Sequence, residues 1–551
     1  MISTLGQVAP DVLHDLAVRN GVCVRPVLSR MTDTSTGEQL VVPIPCGSTQ
    51  ERQCPPCADR ARKLRMQQCR EGWHRDDEIP GTDDDLAEDA PAASDDDTEE
   101  GTDNDEETPV DVDESARRVR STRRRQDAPD LPKVPMDNRT VGTTFTASSG
   151  RTYRPSMFLT LTLPSYGRIH TRPGDGGRCP CGAKHDEAAP VLGTPVDPST
   201  YDYHRAAMDA LHFPKIVDRF WQNLRRCAGY KVQYFATVEA QRRLAPHLHA
   251  AVRGVIPRQV VKDVAAATYH QLWWPQCTEP VYVGDDLPTW DNYAGAFLDP
   301  HTRTLLPTWD QALDAIDDDL AATPAHVVKL GTQIDYQGII ADADDKVGKA
   351  IGYLTKYLAK SIADTYGDDD AITTAQAMHL DRLHREVRWL PCSPSCSNWL
   401  RFGVQPKDAE PGMRPGWCPS KAHDRHHLGL GGRRVLVSRQ WTGKTLTDHR
   451  ADRAEVVRQT LAAAGVDMPD TDRYAATTQL EDGTPRFIWS AVDRANDDDL
   501  PTWHGVLTRG IQERIRWRTE YEQAKQRTAN APPADTCSAT GNTNDAAEPA
   551  A

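Results

Sequence analysis

Two short stretches hold side chains that could do chemistry together. His247-Leu248-His249 sets two imidazoles two residues apart, and Tyr353-Leu354-Thr355-Lys356-Tyr357 sets two phenols four apart. In a strand, residues two apart point to the same side, so His247 and His249 can share one metal ion. In a helix, residues four apart share a face, so Tyr353 and Tyr357 stand side by side. A divalent ion that polarises a phosphodiester, beside a tyrosine that attacks it, is what a self-linking DNA nickase needs. A His-x-His pair alone is an ordinary strand feature, and a tyrosine pair alone an ordinary core stripe. The surrounding elements have to decide.

Alternation over residues 157–163, Met-Phe-Leu-Thr-Leu-Thr-Leu, predicts a strand that stops at Pro164. An irregular insertion rich in Gly and Pro follows over 167–199. Helical spacing of Ala206, Ala210, Phe213, Val217, Phe220, Trp221 and Leu224 predicts a helix over 203–227, kinked or split by Pro214. Strands are expected over 231–239 and 247–252, and helices over 260–272 and 347–361. A small antiparallel sheet with flanking helices makes an α+β core the economical fold. If the hairpin joining the two later strands closes simply, Glu239 stands opposite His247, with Cβ atoms about 4.5–5.5 Å apart. Two imidazoles and a carboxylate leave coordination positions open, which suits catalysis more than a closed structural site. A phenol with a pKa of about 10 is a weak nucleophile at neutral pH. Lys356 and Lys360 each follow a tyrosine by three residues, on nearly the same helix face, where they would stabilise phenolate or phosphate charge. Attack would give a 5′-phosphotyrosyl bond that conserves the phosphodiester energy for rejoining.

Taken in order, Phe158-Leu159-Thr160-Leu161-Thr162, Pro246-His247-Leu248-His249 and Tyr353-x-x-x-Tyr357 with Lys356 and Lys360 resemble the three motifs of HUH endonucleases. The tyrosine pair is similar to that of rolling-circle replication initiators. Phe220-Trp221-Gln222-Asn223-Leu224, Val238-Glu239-Ala240-Gln241 and the run from Leu428 through Gly431-Gly432-Arg433-Arg434 to Trp441 look more closely like Rep proteins of actinobacterial plasmids and integrative elements. The resemblance covers most of residues 20–60 and 153–450. It implies an HUH-like central antiparallel sheet, a catalytic Mg²⁺ or Mn²⁺ on Glu239, His247 and His249, and nicking of one strand at a double-strand origin. One tyrosine would hold the 5′ end and the other would act at termination. Origin DNA in double- and single-stranded form would be the partner, with a host helicase and DNA polymerase. A relaxase or transposase would use the same chemistry, and a non-catalytic zinc-containing DNA-binding regulator is the reading from another class.

The chain has 551 residues and a net charge of −15, which at first argues against a polyanionic partner. Twenty Asp or Glu and no Lys or Arg fall between Asp76 and Glu114, and without them the rest of the chain stands at +5. That block is too poor in large apolar residues to fold and is expected to be a disordered tether. Six arginines among residues 117–125 follow it and would suit phosphate contacts. Six divisions are expected: an N-terminal Cys-bearing segment (1–75), the linker (76–152), the nicking domain (153–365), a Cys/His segment (366–450), a helical region (451–526) and a disordered tail (527–551). A mean hydropathy of −0.63 and the lack of any long apolar run or leader pattern point to a cytoplasmic protein away from membranes.

Thirteen cysteines in such a chain suggest structural zinc where spacing is tight. Cys54 and Cys57 can be completed by Cys23 and Cys46, with Cys69 as a competitor. Cys392, Cys396, Cys418 and His423 form a second set, with His426 and His427 as rivals for the last place. Cys179, Cys181 and His185 lack a fourth ligand, which His170 or His204 would have to supply. Gly443-Lys444-Thr445 looks like the end of a phosphate-binding loop, but Ser438 occupies the position that must be glycine, so no ATPase or built-in helicase is expected.

Overall fold

In strand β1 (Ser156–Thr162), Met157, Leu159 and Leu161 are buried on one side while Phe158, Thr160 and Thr162 occupy the other. It joins β2 (Tyr234–Ala240), β3 (Pro246–Arg253), β4 (Ile334–Ile339) and β5 (Val435–Val437) in an antiparallel sheet of order β4-β1-β3-β2-β5. The structure, a computed structural model, describes residues 9–73, 145–146, 152–153, 155–339, 343–356, 363–366, 372–431, 434–463, 478–480, 482–492 and 500–529. The acidic block, the arginine run and the tail beyond 529 lie outside those residues, as do Tyr357 and Lys360. Among the described residues no helix is long and apolar enough to cross a membrane.

Every residue of β3 is buried, as a central strand covered on both faces must be. One face packs on helices α1 (Tyr203–Leu211) and α2 (Phe213–Ala228). Phe213, Ile216, Val217, Phe220, Trp221 and Leu224 meet Leu159, Leu161, Val238, Leu248 and Ala250 there. Trp221 lies flat on Tyr234, with ring centroids 3.8 Å apart and planes 4° from parallel. Burying each such side chain contributes roughly 1.5–3 kcal/mol. The helix expected over 203–227 is indeed two. His212 closes α1, and Phe213-Pro214 opens α2, where proline's missing N–H costs nothing.

The opposite face is covered by a second group: Phe235, Ala251 and Ile339 from the sheet, Ile351 and Leu354 from α4 (Ala343–Lys356), and Cys69, Trp73 and Trp441. Trp73, from the helix Pro55–Trp73, donates its indole N–H to Ser156, and Trp441 donates to the carbonyl of Gln68. Their rings meet edge to face at 6.2 Å. Gly72 permits that approach, since a Cβ on it would sit 2.2 Å from the Trp441 ring.

The helix expected over 260–272 is shorter. It is α3 (Arg258–Ala267), after which Tyr269–Leu272 forms a strand paired with His326–Lys329. The partner is distant in sequence, so local periodicity could not reveal it. The Cys/His segment contributes to the same core, through Leu380, Leu383 and Val387 of α5 (Thr374–Trp389), and supplies the edge strand β5.

Contacts divide the described chain into two units. Apart from residues 55–57 at the start of the Pro55–Trp73 helix, all of the above lies in the larger, drawn from 48–53 and 58–444. The smaller unit, drawn from 1–47, 54–57 and 445–551, combines both ends of the sequence. Its antiparallel sheet has Val27–Asp33 between Gln39–Ile44 and Phe487–Ala491, and Arg486 bridges Asp33 at 3.2 Å. Leu13 and Ala17 pack with Leu507 and Ile511 around Cys23, Cys54 and Cys57. The region expected to be mainly helical therefore also supplies a strand.

Gly72→Ala tests the tryptophan contact. Glycine-to-alanine inside a helix ordinarily stabilises by about 0.5–1 kcal/mol. Here the added methyl must displace Trp441, and thermal unfolding should show a loss of about 1–3 kcal/mol. A raised melting temperature would refute the packing described.

Candidate functional site

The register of the central strands determines which side chains meet. Thr162, His247 and Glu239 form one cross-strand row, and Thr160, His249 and Thr237 the next. All six lie on the face opposite the α1–α2 core. His247 Nε2 and His249 Nε2 each stand 3.9 Å from Glu239 Oε2, too far for hydrogen bonds. Three lone-pair donors thus surround a point without bonding one another. All three residues are buried.

Burial governs their ionisation. It pushes the Glu239 carboxyl up to about 7, against the pull of Arg434 and Lys356. It pulls His247 down to about 3, with His249 adding to the effect, and His249 down to about 4. Both imidazoles are therefore neutral at neutral pH, the form that binds metal. Glu239 Oε1, His247 Nδ1 and Thr237 Oγ1 are buried without a hydrogen-bond partner. An unsatisfied buried carboxylate oxygen is costly unless a cation or its water satisfies it, and the Nε2 atoms of both histidines stand beside the same carboxylate, so the residues present fit a divalent ion. Thr160 Oγ1 lies 2.9 Å from His249 Nδ1. In the tautomer that donates Nδ1–H to Thr160, Nε2 keeps its lone pair for the centre.

Helix α4 brings the tyrosine. Ile351 and Leu354 face the sheet, which turns Tyr353 toward the rim of the site. Its hydroxyl is 3.4 Å from His249 Nε2, and its ring meets His249 and Phe158 edge to face at 4.9 and 5.9 Å. It remains 45% exposed, open to a ligand as large as DNA. Lys356, one turn on, is exposed and its charge acts on Glu239. Sequence reasoning omitted Thr160, Thr237 and Arg434 from the site. Thr160 could have been found from strand parity, since it sits in the quoted Phe-Leu-Thr-Leu-Thr run. Thr237 follows from the same parity, two residues before Glu239, whereas Arg434 depends on a pairing the sequence does not display.

The cysteines gather into three Cys/His sets that could bind zinc. Cys23, Cys46, Cys54 and Cys57 form one, while Cys69 lies apart beside Trp73 and Trp441. Cys392, Cys396, Cys418 and His423 form another, and His427 pairs with Asp424 instead. In the insertion, Cys179, Cys181 and His185 are completed by His170, while His204 faces Glu386 at 3.8 Å. Each set holds one thiol shifted toward thiolate. Hydrogen bonds from Cys392 and Cys396 lower Cys418, whereas in Cys54 and Cys179 hydrogen bonds from nearby N–H and S–H groups outweigh burial, taking Cys179 to about 6. Four Cys or His ligands to a set, one thiol in each already shifted toward thiolate, suit tetrahedral zinc.

A family model described as "Replication initiator protein, pSAM2" matches residues 9–513. A replication initiator protein of Streptomyces ambofaciens is 32% identical over 227 residues, which are 38% of this chain and 43% of that protein. No solved structure matches.

Elemental analysis of purified protein should find zinc that Cys396→Ser reduces by one equivalent per chain, with a lower melting temperature. Cys69→Ser should leave the zinc content unchanged. Acidification should release the metal, because protons compete for the thiolates. Zinc unaffected by Cys396→Ser would remove that residue from the ligand set.

Proposed function

The chain belongs to the replication initiator protein family whose model spans residues 9–513, and from that membership we propose that it starts plasmid replication by nicking one strand of its origin. The observation that carries this reading is the Tyr353 hydroxyl 3.4 Å from His249 Nε2, at the rim of a buried Glu–His–His cluster. A divalent cation held by Glu239, His247 and His249, magnesium or manganese, would neutralise charge on the scissile phosphate.

In this proposal each residue has a separate task. Tyr353 Oη attacks phosphorus; the phosphotyrosyl bond forms as the bond to the 3′ oxygen breaks, and the freed 3′-hydroxyl becomes the primer end for a host polymerase. Lys356 offsets the negative charge that gathers on phenolate and phosphate. Thr160 fixes the His249 ring so that Nε2 faces the centre. Tyr357, four residues on and outside the described residues, is the second nucleophile, and Lys360 its cationic neighbour. The Cys/His sets brace loops around the origin DNA and take no part in cleavage. Strand separation falls to a host helicase.

Supercoiled plasmid carrying the origin supplies the test. Wild-type protein with magnesium or manganese should yield open circles with protein joined to the new 5′ end. Tyr353→Phe combined with Tyr357→Phe should abolish both products. Thr160→Val should lower the rate by about 10–100-fold, the usual effect of removing a ligand's outer hydrogen-bond partner. Nicking that survives the double tyrosine change ends the tyrosine mechanism, and a gel shift without cleavage in either metal favours a binding-only regulator.

A further inference from the structure

At the end of the sheet that holds the Glu–His–His cluster, a cleft of about 550 Å³ opens. It starts at Thr162, the cross-strand neighbour of His247, and at Gln241, two residues beyond Glu239. The volume lies within the roughly 300–1,000 Å³ usual for pockets that take a small molecule. It has room for one nucleotide.

The chemistry of the lining points the same way. Arg242 and Arg243 line it together with Gln241 and Gln333, and among the described residues no carboxylate does. Leu163, Pro164 and Ile169 add an apolar surface. Positive charge, amide edges and a flat apolar wall are what a phosphorylated, planar, hydrogen-bonding ligand requires.

The walls are rigid before any ligand arrives. Arg243 donates to the carbonyls of Leu163 and Pro164 at 2.6 and 2.7 Å and to Gln241 Oε1 at 2.7 Å. Tyr201 donates to the Arg243 carbonyl at 2.5 Å, and Tyr366 donates to that of Arg242. These bonds fix the hairpin whose tip holds Leu244 at φ 60°. Gly193 lets the insertion approach, since a Cβ there would fall 2.3 Å from Arg242 Cβ. His170 exchanges backbone hydrogen bonds with Gly193 and Thr194, so the same insertion that gathers the His170–Cys179–Cys181–His185 set forms the far wall.

We infer that this cleft takes one unpaired nucleotide of the DNA strand next to the scissile phosphate. Arg242 and Gln333 hold it, and Arg243 acts as a positioning residue for the hairpin. The inference rests on the proposed nicking reading for which phosphate is meant, but its binding test does not need cleavage.

Single-stranded oligonucleotides tiled across the origin strand are titrated against the full-length, zinc-loaded protein without added magnesium or manganese. In the tightest binder, each nucleotide in turn is replaced by an abasic residue. At one position the loss should weaken binding about tenfold, the size of one lost base contact. Arg242→Ala with Gln333→Ala should weaken the intact oligonucleotide similarly and make that abasic change harmless, as coupled groups behave in a double-mutant cycle. Both side chains are exposed, so the melting temperature should not move. A flat abasic scan, an abasic penalty undiminished in the variant, or no binding to any oligonucleotide overturns the cleft. Survival of the abasic position alongside nicking that ignores both tyrosines would instead retain the cleft and end the nicking mechanism.

Discussion

The pairing register of β2 against β3 is the constraint on which the site depends. With Glu239 opposite His247, every second residue of both strands turns to the α4 side. A slip of β2 by one residue would send Glu239 and Thr237 into the α1–α2 core and put Val238 beside the histidines. Apolar packing on the far face therefore fixes the polar cluster on the near one. The hairpin tip reinforces this, since Arg243, Tyr201 and Tyr366 tie down the turn that joins the two strands.

The cluster itself opposes folding as it stands. A carboxyl pushed toward neutrality and buried polar atoms of Glu239 and His247 without hydrogen-bond partners are local costs that the surrounding apolar core must offset. The same features favour a cation. Stability surrendered at one point is recovered as affinity, and the bound form should be more rigid than the free one. The three Cys/His sets follow a simpler logic, gathering ligands from separate stretches of the chain, two of the sets against apolar clusters and one in the 167–199 insertion.

Much of this was legible in the sequence because the chemistry sits on regular elements. Alternation marked β1, helical spacing marked α1 and α2, and a short connection was enough to place Glu239 opposite His247. The four-ligand sets could be narrowed by spacing but not closed, because His170 and His204 are equally plausible until the insertion folds. What stayed hidden depends on pairings between distant segments: the strand Tyr269–Leu272, the strand Phe487–Ala491, the cover formed by Trp73 and Trp441, and the cleft beyond Thr162. None of these leaves a local pattern.

That last cover has a consequence for how the protein comes into being. The sheet's outer strand β5 and the indole of Trp441 come from a segment that a ribosome makes long after β1, β2, β3 and α4. Until it emerges, one edge of β2 lacks its partner strand and the cluster around Phe235 and Ala251 lacks the Trp441 indole. Contacts so far apart along the chain form late. A nascent or prematurely ended polypeptide would carry the histidines and Tyr353 on a sheet whose β2 edge is still unpaired, so the sheet beneath the site is complete only once translation has passed Trp441.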